Sequence, residues 1–265
     1  MQHIPKDVLL CIMCYVKRNH CHCVVSCRWR SLVHLTGVKY GDDDWLKIPE
    51  EDVPEDLPRR IAAAQPTTLV TARRSFTLHR ILDPLVRCCS LVSVKLVIDD
   101  ANDFLAEQIS HLCELRRLTN AHISLLGVVT PIGVQHLSAV SRAACLSCLH
   151  LNLSLIPFGN AVGFLRTFSN NASLVTLYLD LCECDVGDEG VQVISELRTV
   201  PALKHLTLAL RDNSRITSIG LISLSGIVRC PTLEKLTLLL DCGNISEMSA
   251  HGHAAAQPSL CWEIC

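Results

Sequence analysis

Leu146-x-x-Leu149-x-Leu151-x-Leu153 opens a leucine ladder that decides the fold. The template returns as Leu174-x-x-Leu177-x-Leu179-x-Leu181, Leu203-x-x-Leu206-x-Leu208-x-Leu210 and Leu233-x-x-Leu236-x-Leu238-x-Leu240. Successive starts are 28, 29 and 30 residues apart. Self-similarity at a nearly constant period of this size is the signature of a solenoid. The alternating leucines read as short strands with one face turned inward. A solenoid built this way offers an extended surface, the kind used to hold another molecule.

Working outward, Leu91-x-x-Val94-x-Leu96-x-Ile98 reads as an earlier strand, and Thr67–Thr71 as a first irregular one. Between them a short helix is expected near Ile81–Cys88. Asp103–Leu115 reads as a helix, with Phe104, Leu105, Ile109 and Leu112 at helical spacing and Asp103 placed to cap it. The strand after it, starting at Leu115-x-x-Leu118, fits the template least. Asn120 and His122 stand where aliphatics are wanted, so either Ala121 and Ile123 take over through a bulge or this turn is distorted. Further helices are expected near Ile132–Ala143, Ala161–Asn171, Asp188–Thr199 and Ser218–Val228. Pro201 and Pro231 end helices, and Gly187 and Gly220 mark strand-to-helix turns. One such unit alone cannot offset an ordering cost of about 1.5 kcal/mol per residue. Stacked units share a continuous core in which each buried leucine contributes roughly 2 kcal/mol.

The apolar share is 49% and the charged share 19% of 265 residues, enough for a sizeable core. Mean hydropathy is positive, yet no apolar run approaches the roughly 20 residues of a membrane-spanning helix. A net charge of −2 gives no reason to expect nucleic acid or an anionic membrane as partner. Val8–Val16 has the length of a signal-peptide core, but Pro5, Asp7, Lys17 and Arg18 flank it and no small-residue cleavage site follows. The sixteen cysteines are scattered, and Cys113, Cys148 and Cys182 fall inside expected strands or helices. This favours reduced, buried thiols in a cytoplasmic or nuclear protein over a disulfide framework.

Charge divides the chain into zones. Residues 1–40 carry six Lys/Arg and one acid, whereas residues 41–60 carry eight acids and three bases, with Pro49, Pro54 and Pro58 among them. We read residues 1–40 as a small helical module, 41–66 as an acidic, proline-containing linker, 67–245 as the repeat domain and 246–265 as an irregular tail.

The tracts Gly187-Asp188-Glu189-Gly190 and Leu197…Pro201-x-Leu203-x-x-Leu206-x-Leu208 resemble leucine-rich repeats of the long, ribonuclease-inhibitor-like class. The resemblance implies a right-handed α/β horseshoe of about six units over residues 67–245. It says almost nothing about function. No capping unit follows Asn244, which predicts a disordered tail, a covering partner or a truncated chain.

Residues between the leucines would line the concave face: Ser93, Lys95, Val97 and Asp99; Cys148, His150, Asn152 and Ser154; Thr176, Tyr178, Asp180 and Cys182; His205, Thr207, Ala209 and Arg211; Lys235, Thr237, Leu239 and Asp241. Six strands span roughly 25–30 Å, room for a peptide or a protein face. His150, Asn152, Tyr178, Asp180, Thr207, Arg211, Thr237 and Asp241 are the expected partner contacts, with Tyr178 as anchor. Solvation of the sheet is the plainer role for the same residues. Casting His150, Asp180 and Ser154 as a hydrolytic triad lacks a nucleophile elbow and a glycine-rich oxyanion segment. We therefore expect no catalytic residue.

Ile4-Pro5-x-Asp7-Val8-Leu9-x-x-Ile12-x-x-Tyr15-Val16 reads as a helix with proline at its start and an apolar face. Val25-Ser26-Cys27-Arg28-Trp29-Arg30-Ser31-Leu32-Val33 follows as a second short helix. Together they resemble the F-box, with Pro5, Leu9, Ile12, Val25, Trp29 and Leu32 on the matching positions. The intervening Lys17–Val24 is shorter than in that family and lacks its Pro-x-Asp-Leu turn. The resemblance implies a substrate-recognition subunit of an SCF-type ubiquitin ligase. Those six residues would dock on the ligase's linker subunit, itself held by the cullin scaffold, and the repeats would hold an unidentified target protein. A helical cap that merely seals the solenoid is the alternative. Cys11-x-x-Cys14 with His20-Cys21-His22-Cys23 and Cys27 has enough soft ligands for zinc. Cys11 and Cys14 lie in a strongly apolar helix, however, and we expect no metal and no cofactor. The chain is thus expected to be α/β: a repeat solenoid preceded by a small all-α module. Its runner-up function is that of a non-catalytic scaffold or inhibitor with no ubiquitin link.

Overall fold

The computed structural model describes residues 39–40, 45–48, 68–71, 91–157, 159 and 161–240. Pro5, Leu9, Ile12, Val25, Trp29, Leu32, the cysteine cluster, Ile81–Cys88, Asp241 and the 246–265 tail lie outside them. Among the described residues nine strands form one sheet in strict chain order. They are β1 (Lys39–Tyr40), β2 (Trp45–Ile48), β3 (Thr68–Thr71), β4 (Ser93–Asn102), β5 (Asn120–Val128), β6 (Cys148–Asn152), β7 (Thr176–Asp180), β8 (His205–Ala209) and β9 (Lys235–Leu239). β1 pairs antiparallel with β2, and every later pairing is parallel. Trp45–Ile48 lies inside the stretch read as a linker. Its aromatic and β-branched ends suit a strand, although acids and prolines surround it.

Parallel neighbours need a crossover, and between β4 and β9 helices supply it. Four are α1 (Asp103–Ser110), α2 (Pro131–Leu137), α3 (Asp188–Ser195) and α4 (Ser218–Ser225), each running directly into a 3-10 turn. The α/β sheet with alternating helices is therefore present, as a stack of repeating units. The crossover between β6 and β7 differs from the expected α-helix: Val162–Asn170 is 3-10 throughout. Val162, Leu165 and Phe168 recur at the three-residue period of that helix and are buried.

The register explains the ladder. Val94, Ala121, Leu149, Leu177, Leu206 and Leu236 align across the sheet, as do Leu96, Ile123, Leu151, Leu179, Leu208 and Leu238. None of these is more than 3% exposed. They form one continuous core with the buried faces of the helices.

β5 corrects the reading of the weakest unit. Leu118, not Leu115, is its first ladder residue. Leu118-x-x-Ala121-x-Ile123-x-Leu125 then fits the template with all four side chains buried. Ala121 and Ile123 align with Leu149 and Leu151 without a bulge, and the irregularity lies further on, between Ile98 and Ala101 of β4. Leu115 is also buried, as the residue closing the 3-10 turn, and that double leucine conceals the frame.

Two similar devices lock neighbouring units. Asn102, rather than Asp103, caps α1 by accepting from Leu105 N–H at 3.0 Å. Asp103 instead reaches the next unit, accepting from Thr130 N–H at 2.7 Å and from its hydroxyl at 2.6 Å. Asp188 repeats this on Thr217 at 2.7 and 2.6 Å, and also accepts from Gly220 N–H at 3.0 Å. Burial raises the Asp188 pKa, but these donated bonds outweigh it and hold the carboxyl below its usual value. Thr130 and Thr217 in turn cap α2 and α4.

The lock explains Gly220, which lies inside α4 and not at a turn. A Cβ there would stand 2.5 Å from Asp188 Oδ1 and 3.2 Å from Ile216 Cγ2. Alanine normally favours a helix over glycine by about 1 kcal/mol. Gly220→Ala should instead destabilise by about 1–3 kcal/mol through overpacking, read as a lower urea midpoint. Gly163→Ala, whose nearest neighbour would be Arg166 Nη1 at 4.0 Å, should leave that midpoint unchanged or raise it.

Two buried asparagines tie the turns. Asn171 accepts from Ser173 N–H and Leu174 N–H, and its amide donates to the Ser141 and Ala143 carbonyls. Asn213 does the same with Leu181, Cys184 and Val186 of the preceding unit. The described cysteines are free thiols, but burial is less general than expected: Cys184 and Cys230 are buried, Cys113, Cys148 and Cys182 half-buried and Cys145 exposed. Cys148, between ladder leucines on β6, points away from the core, and Cys182 lies in the turn after β7, which is why both stay half-exposed. Among the described residues no helix is long and apolar enough to cross a membrane.

Candidate partner-binding face

Alternation along each strand sends the ladder residues toward the helices and their neighbours to the other face. Identical register turns those neighbours into columns. The central column is Lys95, His122, His150, Tyr178, Thr207 and Thr237. Within it three rings stack. His122 and His150 lie 3.9 Å apart between centroids at 12°, and His150 and Tyr178 lie 3.9 Å apart at 8°. Parallel strands stand about 4.8 Å apart, so the rings lean together into van der Waals contact. All three are half-buried.

This environment keeps the stack uncharged near neutral pH. Burial lowers the His122 pKa, and the Lys95 ammonium lowers it further. Burial, then His122 and Lys95, bring His150 down to about 4 against the opposing pull of Asp180. Burial raises the Tyr178 phenol, with Asp180 and Cys182 adding to it and Arg211 opposing.

The next column is Val97, Ser124, Asn152, Asp180, Ala209 and Leu239. Asn152 Oδ1 accepts from Ser154 N–H at 2.9 Å, and Asp180 Oδ1 accepts from Cys182 N–H at 3.1 Å. Both expected contact residues thus also hold the turn that ends their own strand. Asp180 raises the Cys182 thiol as well, after burial and together with a side-chain hydrogen bond, to about 12. His150 offers its two ring faces to His122 and Tyr178.

The structure brings together His150, Asn152, Tyr178, Asp180, Thr207 and Arg211, all half-buried on this face. Thr237 is a correction: it is 6% exposed, a short branched side chain lying low on the pleat with little surface to offer a partner. Asp241 lies outside the described residues. His122 is the residue that sequence reasoning missed. Reading the ladder from Leu118 would have placed it in the same column as His150 and Tyr178.

On the turns beside this face, Glu183, Asp185, Asp212 and Ser214 line an open depression of about 380 Å³. Asp185 is paired there with Arg215 at 3.0 Å. Among the described residues no group of three or more His, Cys, Asp or Glu side chains is arranged to hold a metal ion. Compared with protein-family models the sequence matches none, and no curated protein matches it.

Proposed function

We propose that the chain is the substrate-recognition subunit of an SCF-type ubiquitin ligase. Its stacked units are read as leucine-rich repeats whose concave face, the one away from the helices, captures the target protein. Residues 1–40 are read as an F-box that docks on the linker subunit and so joins the target to the cullin scaffold. The observation that carries the binding half is the continuous open sheet face with a half-buried ring ladder at its centre. An amphipathic, pre-ordered aromatic surface is the kind of feature on which binding energy concentrates. The docking half rests on Pro5, Leu9, Ile12, Val25, Trp29 and Leu32 in F-box spacing. The activity is non-catalytic, in the cytoplasm, the nucleus or both.

The two halves separate experimentally. Deleting residues 1–38 should abolish association with the linker subunit while leaving target capture intact. Tyr178→Ala should do the reverse, weakening target capture at least tenfold, about 1.4 kcal/mol, with linker association unchanged. Co-precipitation of the linker subunit and of ubiquitylated targets reads both. A chain that captures its target but never associates with the linker subunit would instead be an independent scaffold.

A further inference from the structure

The ring ladder has a property beyond contact. Two imidazoles stacked at 3.9 Å attract while neutral. The same geometry puts any charge on one ring directly against the other. The register adds Lys95 on β4 as the next neighbour of His122, so a proton on His122 sits between an ammonium and a second imidazole. We propose that the His122–His150–Tyr178 stack is a proton-operated switch of the concave face, closed while both imidazoles are neutral and opened when one of them takes up a proton.

The surrounding groups set its range. From β4 the stack meets Lys95. From β5 and β6 it meets the paired histidines themselves, with the neutral Cys148 thiol, whose pKa burial raises, alongside on β6. From β7 and the turn after it the stack meets Asp180 and Cys182 beside Tyr178, and from the turn after β8 Arg211. Asp180 favours a proton on His150, but burial and the cations outweigh it and hold His150 down to about 4. His122 is lowered less and therefore takes the first proton as pH falls below 6.5. Once charged, its ring moves away from Lys95 and His150 toward water, and the flat ladder is lost.

The sign of the linked stability follows. Both folded pKa values lie below the unfolded value of 6.5. Between 6.5 and about 4 the unfolded chain binds more protons, so stability falls as pH falls through that window and levels off on either side. The switch belongs to the free chain and stands apart from what the concave face captures.

The test is an NMR titration of the full chain from pH 8 to pH 4, following the Cε1–Hε1 signals of His122 and His150 and the ring protons of Tyr178. His122→Asn and His150→Asn assign the signals. The switch predicts that both histidines titrate below 6.5, His122 before His150. It also predicts that the Tyr178 ring protons shift along the His122 curve as the stack opens, and that Lys95→Met raises both midpoints. Independent titration of both rings near 6.5 would overturn the proposal. So would a Tyr178 signal that stays still while His122 takes up its proton. Triple-resonance assignment of the wild-type chain supplies both readouts where a variant fails to fold, so the test stays intact.

Discussion

Asn213→Ala should remove about 3–5 kcal/mol of stability, because it strands backbone groups in the interior rather than merely deleting a side chain. Asn213 is 1% exposed. Its Oδ1 accepts from Cys184 N–H at 3.2 Å and Val186 N–H at 2.9 Å, both in the preceding unit. Its amide nitrogen lies 2.8, 3.0 and 3.1 Å from the carbonyl oxygens of Leu181, Leu210 and Arg211. Each orphaned buried donor costs about 1–3 kcal/mol, and two are stranded at once. Asn213→Asp should be no rescue, since it recovers the acceptor but turns a carboxylate oxygen toward three carbonyls. Urea unfolding of both variants reads the effect; a midpoint within error of wild type for Asn213→Ala would remove this bridge from the account.

Leu179→Ala should cost about 2–5 kcal/mol. Leu179 is fully buried and sits in register between Leu151 and Leu208. The cavity would open at the junction of three units, and a stack of this kind draws its stability from such junctions. Ile219→Ala is the matched control. That residue is 67% exposed on α4, and its loss should stay within about 0.5 kcal/mol. Equal midpoint shifts for the two would contradict a core built from the ladder.

How much of this was legible in the sequence depended on whether the signal was periodic. Leu149, Leu177, Leu206 and Leu236 repeat at one position, so the parallel sheet in chain order could be read directly. The unit at β5 carries alanine and isoleucine where its neighbours have leucine, and Leu115 lies just ahead of the true start. Both blur the frame, and the slip hid His122. Asn213 and Asn171 bond within their own turns as well, but the bonds that tie units together, to Leu181, Cys184 and Val186 and to Ser141 and Ala143, leave no local pattern. Asp103 and Asp188 look like ordinary helix starts; their bonds to Thr130 and Thr217 exist only once the units stack. The 3-10 segment Val162–Asn170 shows a three-residue apolar period, but Phe164 and Gly163 obscure it. On the open face the columns were readable from alternation. The leaning together of three rings was not, since it depends on side-chain packing across strands.

The most direct measurement is binding of the purified full chain to the purified ligase linker subunit, by calorimetric titration, for wild type and for a Pro5→Ala/Trp29→Ala variant. Docking through an F-box predicts a one-to-one complex with wild type, lost or weakened at least a hundredfold, about 2.7 kcal/mol, in the variant. Circular dichroism and the urea midpoint should show the repeats still folded. A folded wild-type chain that does not bind the linker subunit, or a variant that binds as tightly as wild type, would contradict it.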